Sequence, residues 1–298
     1  MGWLERARRR LDRQAHRPVL PALPDGRWLA RWVLPEALDR RIDEIELADL
    51  GHGFDAFGAS RGGIAFGLAI TRFLYEHYFR VRSHGIEHIP TQGPVILAVN
   101  HSGLIPLDAM MIASDLIRHA PGARAPKIVM DHFVPNLPWV SILFTRAGGI
   151  AGSRGNVHAV LERGGLVVIF PEGTPGIGKP FSERYQLKPF RQGHAELAIH
   201  HQAPIVPVAV IGAEESWPQI ARIDGIPAFG SPYVPIPATP LPLPLRFTIY
   251  YGEPIDVPGR TQPADAADAD EVMALAALVQ DAVQTLIELG LSARDGWL

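Results

Sequence analysis

The feature that most constrains the fold is a set of short, continuously apolar runs that end in polar or glycine residues. Residues 95–99 (Val-Ile-Leu-Ala-Val), 166–170 and 203–209 are such runs. Apolar runs of this length, rich in β-branched side chains, are typical of strands buried on both faces of a parallel sheet. Segments with helical patterns separate them. The sequence therefore predicts an α/β fold, with a mixed, largely parallel central sheet flanked by helices.

Two polar residues, Asn100 and His101, follow the first of these runs directly. Ligands of open α/β sheets bind at the carboxyl ends of the strands, so an imidazole at that position is a candidate general base. Asp108 falls in the first turn of a helix predicted over residues 107–118 and is the candidate partner that orients the imidazole. Two alternatives stay open: His101 caps a turn, or Asp108 only complements the dipole of its helix.

Two further segments have the composition of an anion-binding site. Residues 148–156 (Gly-Gly-Ile-Ala-Gly-Ser-Arg-Gly-Asn) lead into a predicted helix, and their backbone N–H groups together with Arg154 could hold a phosphate. The alternative is a helix-capping turn with a surface arginine. Lys179, Lys188 and Arg191 could bind a phosphate or a coenzyme A tail, or could form a solvated basic rim.

Four blocks, in this order, resemble the glycerolipid acyltransferase family, which includes the lysophospholipid acyltransferases. They are Asn100-His101 with Asp108, the Gly-x5-Arg segment that ends at Arg154, Phe-Pro-Glu-Gly-Thr at residues 170–174, and the Ile-Val-Pro of the run at 203–209. The resemblance covers about residues 80–257. It implies a glycerol-3-phosphate acyltransferase-like fold in which His101 and Asp108 are catalytic. The residues that it implies in substrate binding are Asn100, Ser153, Arg154, Glu172, Gly173, Thr174, Lys188 and Arg191.

The resemblance also implies the reaction, which is transfer of a fatty acyl group from acyl-CoA or acyl-carrier protein to a glycerolipid hydroxyl. Glu172 would accept hydrogen bonds from the acceptor or hold Arg154. Six residues separate His101 from Asp108, where the usual family motif has four. Lysophosphatidate is the first choice of acceptor because of Arg154 and the basic segment at 188–193. The longer spacing favours a neutral acceptor, such as a monoacylglycerol, a diacylglycerol or a long-chain alcohol.

Two other functions stay open from the sequence. Residues 58–62 (Gly-Ala-Ser-Arg-Gly) match the nucleophile motif of serine lipases and esterases, with Ser60 as the nucleophile. That motif needs a strand before it, and residues 51–57 do not have a strand pattern, so a turn and helix start is the simpler explanation. The third reading is a lipid-binding protein without catalytic activity at a membrane surface.

Composition limits the chemistry further. The chain has no cysteine, which excludes a thiolate nucleophile and a cysteine metal site. No histidine spacing typical of a metal site occurs, so we expect neither a metal nor another cofactor. The net charge of −3 does not indicate binding to nucleic acid.

Two segments in the N-terminal part of the chain suggest where the protein works. The first twenty residues carry six arginines and apolar residues at helical spacing, which fits either a helix on an anionic membrane surface or a solvated helix. The apolar segment 63–79 falls short of a spanning helix. We expect peripheral or monotopic association with the cytoplasmic face of a membrane, without a signal peptide or a clear transmembrane helix. The predicted units are an N-terminal extension (1–79), a core (80–260) and a C-terminal helix (261–298), and residues 230–244 are predicted to be a loop.

Overall fold

The fold is built on a seven-stranded sheet. The structure is a computed structural model that describes residues 27–49, 51–103, 105–131, 134, 139–228 and 231–294. The spatial order of the strands is β1-β9-β6-β2-β5-β3-β4, and β9 is antiparallel to β6 whereas the other neighbours are parallel. The strands are β1 (Arg82–His84), β2 (Val95–Val99), β3 (Pro126–Met130), β4 (Gly149–Ala151), β5 (Leu166–Ile169), β6 (Ile205–Ile211) and β9 (Thr248–Tyr251). This confirms the predicted fold class.

β2 is the middle strand of the seven. Because helices cover both faces of the sheet, all five of its side chains are buried. Ile96 and Ala98 face one apolar cluster, and Val95, Leu97 and Val99 face the other. The longer described helices are α1 (Arg27–Val33), α2 (Glu36–Glu44), α3 (Arg61–Phe73), α4 (Leu107–His119), α5 (Val140–Ala147), α6 (Arg154–Glu162), α8 (Gly193–His201) and α10 (Ala269–Ser292); α7 (Thr174–Ile177) and α9 (Ala213–Ser216) are single turns. A π-helical turn, Leu74–Tyr78, continues α3.

Most predicted elements occur within a few residues of the expected positions. Helix 107–118 is α4, and the strand at 95–99 is β2. Helix α5 is described from Val140 to Ala147, and β1 is followed by a short 3-10 turn, Ile86–His88. The basic helix predicted in the first twenty residues lies outside the described residues.

The loop prediction for residues 230–244 is wrong in its first half. Ser231–Pro237 forms β8, which pairs with β7 (Gln219–Ala228) in a separate antiparallel hairpin. The prolines of this segment favour a loop in the sequence because proline lacks an N–H donor. Both strands of a two-stranded ribbon are edge strands, however, and proline is tolerated where the missing N–H would point outward.

The C-terminal helix α10 packs on β6 through one face. It is the one helix among the described residues that is long and apolar enough to cross a membrane, and 33% of its apolar window is buried in the protein. Length and composition alone do not separate a spanning helix from a helix that covers a core. The buried face consists of Val272, Leu275, Ala276, Val279, Val283, Ile287 and Gly290.

Candidate active site

His101 and Asp108 form a hydrogen-bonded pair at the carboxyl end of β2. The His101 Nδ1 atom lies 2.8 Å from Asp108 Oδ2, within the hydrogen-bond distance that a catalytic pair requires. Asp108 is completely buried, and the His101 side chain is 11% exposed. A buried carboxylate at Nδ1 places the imidazole proton on that atom, which leaves the lone pair of Nε2 available as a base.

The longer His101–Asp108 spacing is absorbed by the loop between them. The Ser102 backbone N–H and hydroxyl donate to the same Asp108 oxygen, at 2.8 and 3.1 Å, and Gly103 adopts a positive φ of 66°. Pro106 precedes α4, whose first turn carries Asp108. The other carboxylate oxygen accepts the Ala109 N–H at 2.7 Å. Asp108 therefore serves both the imidazole and the start of its helix, so the two explanations from the sequence are compatible.

The surroundings of His101 favour its protonated form. Burial alone would lower the pKa of His101, but the adjacent Asp108 carboxylate, with smaller contributions from Asp131 and Glu172, raises it above the ordinary histidine value. The Phe170 ring stacks on the imidazole with centroids 4.2 Å apart. The ring is thus held between a fixed carboxylate and an aromatic face.

Two pockets of different character meet at His101. The first is almost entirely apolar and lies between α3, α4 and α5, with walls that include Leu68, Ala113 and Phe144. The second is more polar and is bordered by Ser153, Arg154, Gly173, Arg191 and His194. His101, Val129, Met130, Asp131 and Phe170 line both. An apolar chain and a polar group bound in these pockets would meet at the imidazole.

Four of the predicted acceptor-site residues border the polar pocket. Ser153 caps α6 by accepting the Asn156 N–H at 3.2 Å, so the helix begins at Arg154, slightly earlier than predicted. The Arg154 guanidinium pairs with Glu196 of α8. Gly173 has a φ of 59°, and a Cβ there would lie 2.7 Å from the Arg191 guanidinium carbon, so only glycine fits without a shift of that arginine.

Glu172 does not hold Arg154 in the structure. It is buried, accepts the N–H groups of His101 at 3.0 Å and Lys188 at 2.8 Å, and pairs with Lys179 at 3.1 Å. Lys179 also pairs with Glu214 at 3.1 Å. Lys179 is therefore not part of a solvated basic rim, because this buried lysine neutralises two buried carboxylates. By accepting the His101 N–H, Glu172 positions the backbone of that residue.

The remaining predicted substrate residues make contacts within the protein. The Asn100 side-chain amide bonds to Val210 of β6 in both directions, at 2.8 and 3.2 Å, and so fixes the end of β2 against its neighbour. Lys188 pairs with Glu183 at 2.5 Å on the partly exposed rim. Thr174 is the first residue of α7. Among the described residues, no carboxylate forms an ion pair with Arg191.

Sequence reasoning missed three residues of this region. Glu214 comes shortly after the carboxyl end of β6. The rule that identified His101, that ligands bind at the carboxyl ends of strands, would have identified it too. Asp131, which follows β3, fits the same rule and lines both pockets. His194 is buried, and burial lowers its pKa to about 4, so its imidazole is neutral; no pattern in the sequence indicated it.

Ser60 does not have the environment of a lipase nucleophile. Its hydroxyl caps α3 by accepting the Gly63 N–H at 3.0 Å, and the described residues before it contain a turn and no strand. The simpler explanation, a turn followed by a helix start, is confirmed.

The chain resembles known proteins in sequence and in fold. The family described as Acyltransferase matches residues 80–211. An uncharacterized protein of Mycobacterium leprae is 34% identical over 72% of this chain and 60% of its own length. The "DGAT1/2-independent enzyme synthesizing storage lipids" of Bos taurus is 30% identical over 69% of this chain and 58% of its own length.

A solved structure has the same fold. It is the crystal structure of the 1-acyl-sn-glycerophosphate (LPA) acyltransferase PlsC from Thermotoga maritima, with a TM-score of 0.54, 19% identity and coverage of 79% of this chain and 83% of that chain. This chain spans about 60% of the length of the curated relatives named above. The segment that carries both catalytic candidates matches the Acyltransferase family, and the chain has the fold of a lysophosphatidate acyltransferase, so its resemblance to the glycerolipid acyltransferases is confirmed.

Proposed function

We propose that the protein is an O-acyltransferase that moves a fatty acyl group from a thioester, acyl-CoA or acyl-carrier protein, to a hydroxyl of a glycerolipid. The observation that carries the proposal is the position of the His101–Asp108 pair where an apolar and a polar pocket meet. The apolar pocket would hold the acyl chain, and the polar pocket would hold the head group of the acceptor. The thioester carbonyl and the acceptor hydroxyl would then both lie beside the His101 imidazole.

The reaction follows from the tautomer that Asp108 imposes. Nε2 of His101 removes the proton of the acceptor hydroxyl while the oxygen attacks the thioester carbonyl, and the tetrahedral intermediate expels the thiolate. The imidazolium then returns the proton to that sulfur, so the products are an ester and a free thiol. General-base catalysis of this kind contributes typically about 10²–10⁴ in rate. The chain has no cysteine, and Ser60 caps a helix, so direct attack is favoured over a covalent acyl-enzyme.

Two observations favour a neutral acceptor. Arg154, the expected phosphate ligand, already has Glu196 as its counter-charge. The bovine relative bears the name of an enzyme that synthesizes storage lipids, not of an enzyme that acylates lysophosphatidate. A monoacylglycerol or diacylglycerol would need only hydrogen bonds in the polar pocket.

Lysophosphatidate stays as the second candidate because of Arg191. This exposed arginine borders the polar pocket, and its guanidinium has no carboxylate partner among the described residues. Together with the N-terminal end of α6, it could hold a phosphate group.

The two acceptors can be separated by competition. Wild type is supplied with palmitoyl-CoA and equal amounts of monoacylglycerol and lysophosphatidate in mixed vesicles, and the esters are identified by mass spectrometry. We expect acylation of the neutral acceptor to dominate and Arg191→Gln to change it by less than about twofold. Dominant phosphatidate formation that Arg191→Gln abolishes would assign the phosphate acceptor instead. No ester from either acceptor, also with acyl-carrier protein as donor, would contradict the transferase proposal.

Peripheral membrane contact fits the exposed apolar side chains beside the apolar pocket. Phe73 on α3 is 61% exposed, and Trp139 and Ile142, at the start of α5, are 83% and 52% exposed. These two helices contact each other and form walls of the apolar pocket. A lipid surface at this patch would let acyl chains enter without crossing water.

A further inference from the structure

A cluster of three histidines lies outside the pockets described above. His158 is on α6, and His200 and His201 are the last two residues of α8. One ring nitrogen from each lies within 4.8 Å of the other two. His158 Nδ1 is in direct hydrogen-bond contact with His201 Nε2, and the ring centroids of His158 lie 5.2 and 4.5 Å from those of His200 and His201. None of the three lines the pockets that contain His101.

We propose that His158, His200 and His201 form a binding site for a transition-metal ion of the zinc, nickel or copper class. Three imidazoles converging on one point provide neutral nitrogen ligands, which suit these ions and not magnesium or calcium. Tetrahedral zinc needs ligand nitrogens about 2.0–2.1 Å from the ion, hence about 3.3 Å apart. Small side-chain rotations would bring the three ring nitrogens to that separation. They would lengthen the His158–His201 contact and move His200 closer to both.

A neighbouring carboxylate supports the assignment. Glu162, one turn after His158 on α6, has its Oε1 atom 3.6 Å from His158 Nε2, on the ring edge opposite to the atom that faces His201. Histidines that bind metals usually donate their second N–H to a carboxylate, which fixes the tautomer. A slightly closer approach of Glu162 would place the His158 proton on Nε2 and leave the Nδ1 lone pair for the ion.

The cluster is open to solvent. All three residues are half-buried or exposed, so an ion can reach them from solvent. The spacing argument predicted no metal because it considers one segment at a time, whereas this site combines side chains from two helices.

The consequence for the molecule is a clamp between α6 and α8. The N-terminal ends of the same helices carry Arg154 and Glu196, which pair across them at the polar pocket. An ion held by His158, in the middle of α6, and by the last two residues of α8 would fix a second point of contact between the two helices. Its effect is on stability and on the geometry of the polar pocket, not on the chemical step.

Calorimetric titration of zinc into the full-length chain tests the site. The protein carries no histidine tag and is first treated with a chelator that is then removed. We expect one zinc ion per chain and a melting temperature that rises with zinc concentration. His158→Gln and His201→Gln should each weaken binding at least tenfold. His52→Gln, which changes an exposed histidine outside the cluster, should bind like wild type.

Cobalt adds a spectroscopic readout, because ligation by three imidazoles and one water would give visible absorption bands of a four-coordinate ion. Circular dichroism verifies that each variant is folded. Magnesium and calcium should give no heat of specific binding. Absence of stoichiometric zinc binding by folded wild type, or equal affinities in His158→Gln, His201→Gln and His52→Gln, would overturn the proposal. Neither result depends on acyltransferase activity.

Discussion

At the scale of single residues, Asp108 sets the pH range of the proposed base. Burial disfavours the imidazolium form of His101, and the Asp108 carboxylate more than offsets this effect, so the pKa of His101 lies above its ordinary value. A general base must be deprotonated, hence kcat/KM should rise with pH through that raised pKa. Asp108→Asn removes the cause of the increase, and the acid limb should move to lower pH.

The same substitution should also lower the rate. Without the carboxylate, the tautomer with the proton on Nδ1 is no longer favoured, and we expect kcat/KM to fall by about 10²–10⁴. The measurement is a pH profile of thiol release for both proteins. An acid limb that does not move, or moves to higher pH, would argue against Asp108 as the partner of the base.

A second prediction at this scale concerns Lys179, which neutralises two buried carboxylates. Lys179→Met would leave Glu172 and Glu214 without a counter-charge, and we expect a loss of about 3–5 kcal/mol in the free energy of unfolding. The loss should shrink as the pH falls, because protonation removes the buried charge. Urea denaturation measures it. Lys188→Met is the matched control: its partner Glu183 is 41% exposed, so the cost should stay below about 1 kcal/mol. Equal costs in the two variants would contradict this role.

At the scale of elements, the close approach of α3 and α5 shapes the apolar pocket. A Cβ on Gly63 would lie 2.3 Å from the Arg146 carbonyl oxygen of α5. Gly63→Ala must therefore push the helices apart, and we expect a loss of about 1–3 kcal/mol in unfolding free energy together with a changed preference for acyl-chain length. Thermal unfolding and assays with acyl-CoA of different lengths measure the two effects.

Gly155→Ala on α6 is the control for that variant, because no atom would lie within 4 Å of the added Cβ. Alanine is the better helix former, so this change should leave stability unchanged or raise it by up to about 1 kcal/mol. Two variants of equal stability would show that α3 and α5 tolerate separation.

Single strands and helices were predictable because the sequence patterns that indicate them are local. The five apolar residues of β2 and the polar Asn100-His101 after them fix both the strand and the position of the base. Partners that come from distant segments were not predictable: Arg154 meets Glu196, and Lys179 meets Glu214, only after the chain has folded. The hairpin of β7 and β8 was not predicted because strand propensity penalises every proline. It does not consider whether the missing N–H would have pointed into the sheet or away from it.

At the scale of the whole molecule, the apolar surface beside the pocket should bind membranes. We expect Phe73→Asp combined with Ile142→Asp to reduce vesicle co-sedimentation severalfold and to lower activity on acceptors in vesicles more than on detergent-dispersed ones. Both side chains are exposed, so stability should change little. The corresponding change on the C-terminal helix, Met273→Asp, is the control. If Met273→Asp releases the protein and the double variant does not, α10 is the membrane contact.

The central claim is that His101 is the base of an acyl transfer. The most direct test is free-thiol release from palmitoyl-CoA by wild type, His101→Ala and His52→Ala, each with monoacylglycerol, diacylglycerol, lysophosphatidate and no acceptor. The account predicts acceptor-dependent release by wild type and His52→Ala, and a loss of about 10²-fold or more in His101→Ala. Release that persists in folded His101→Ala at the rate of wild type would contradict it.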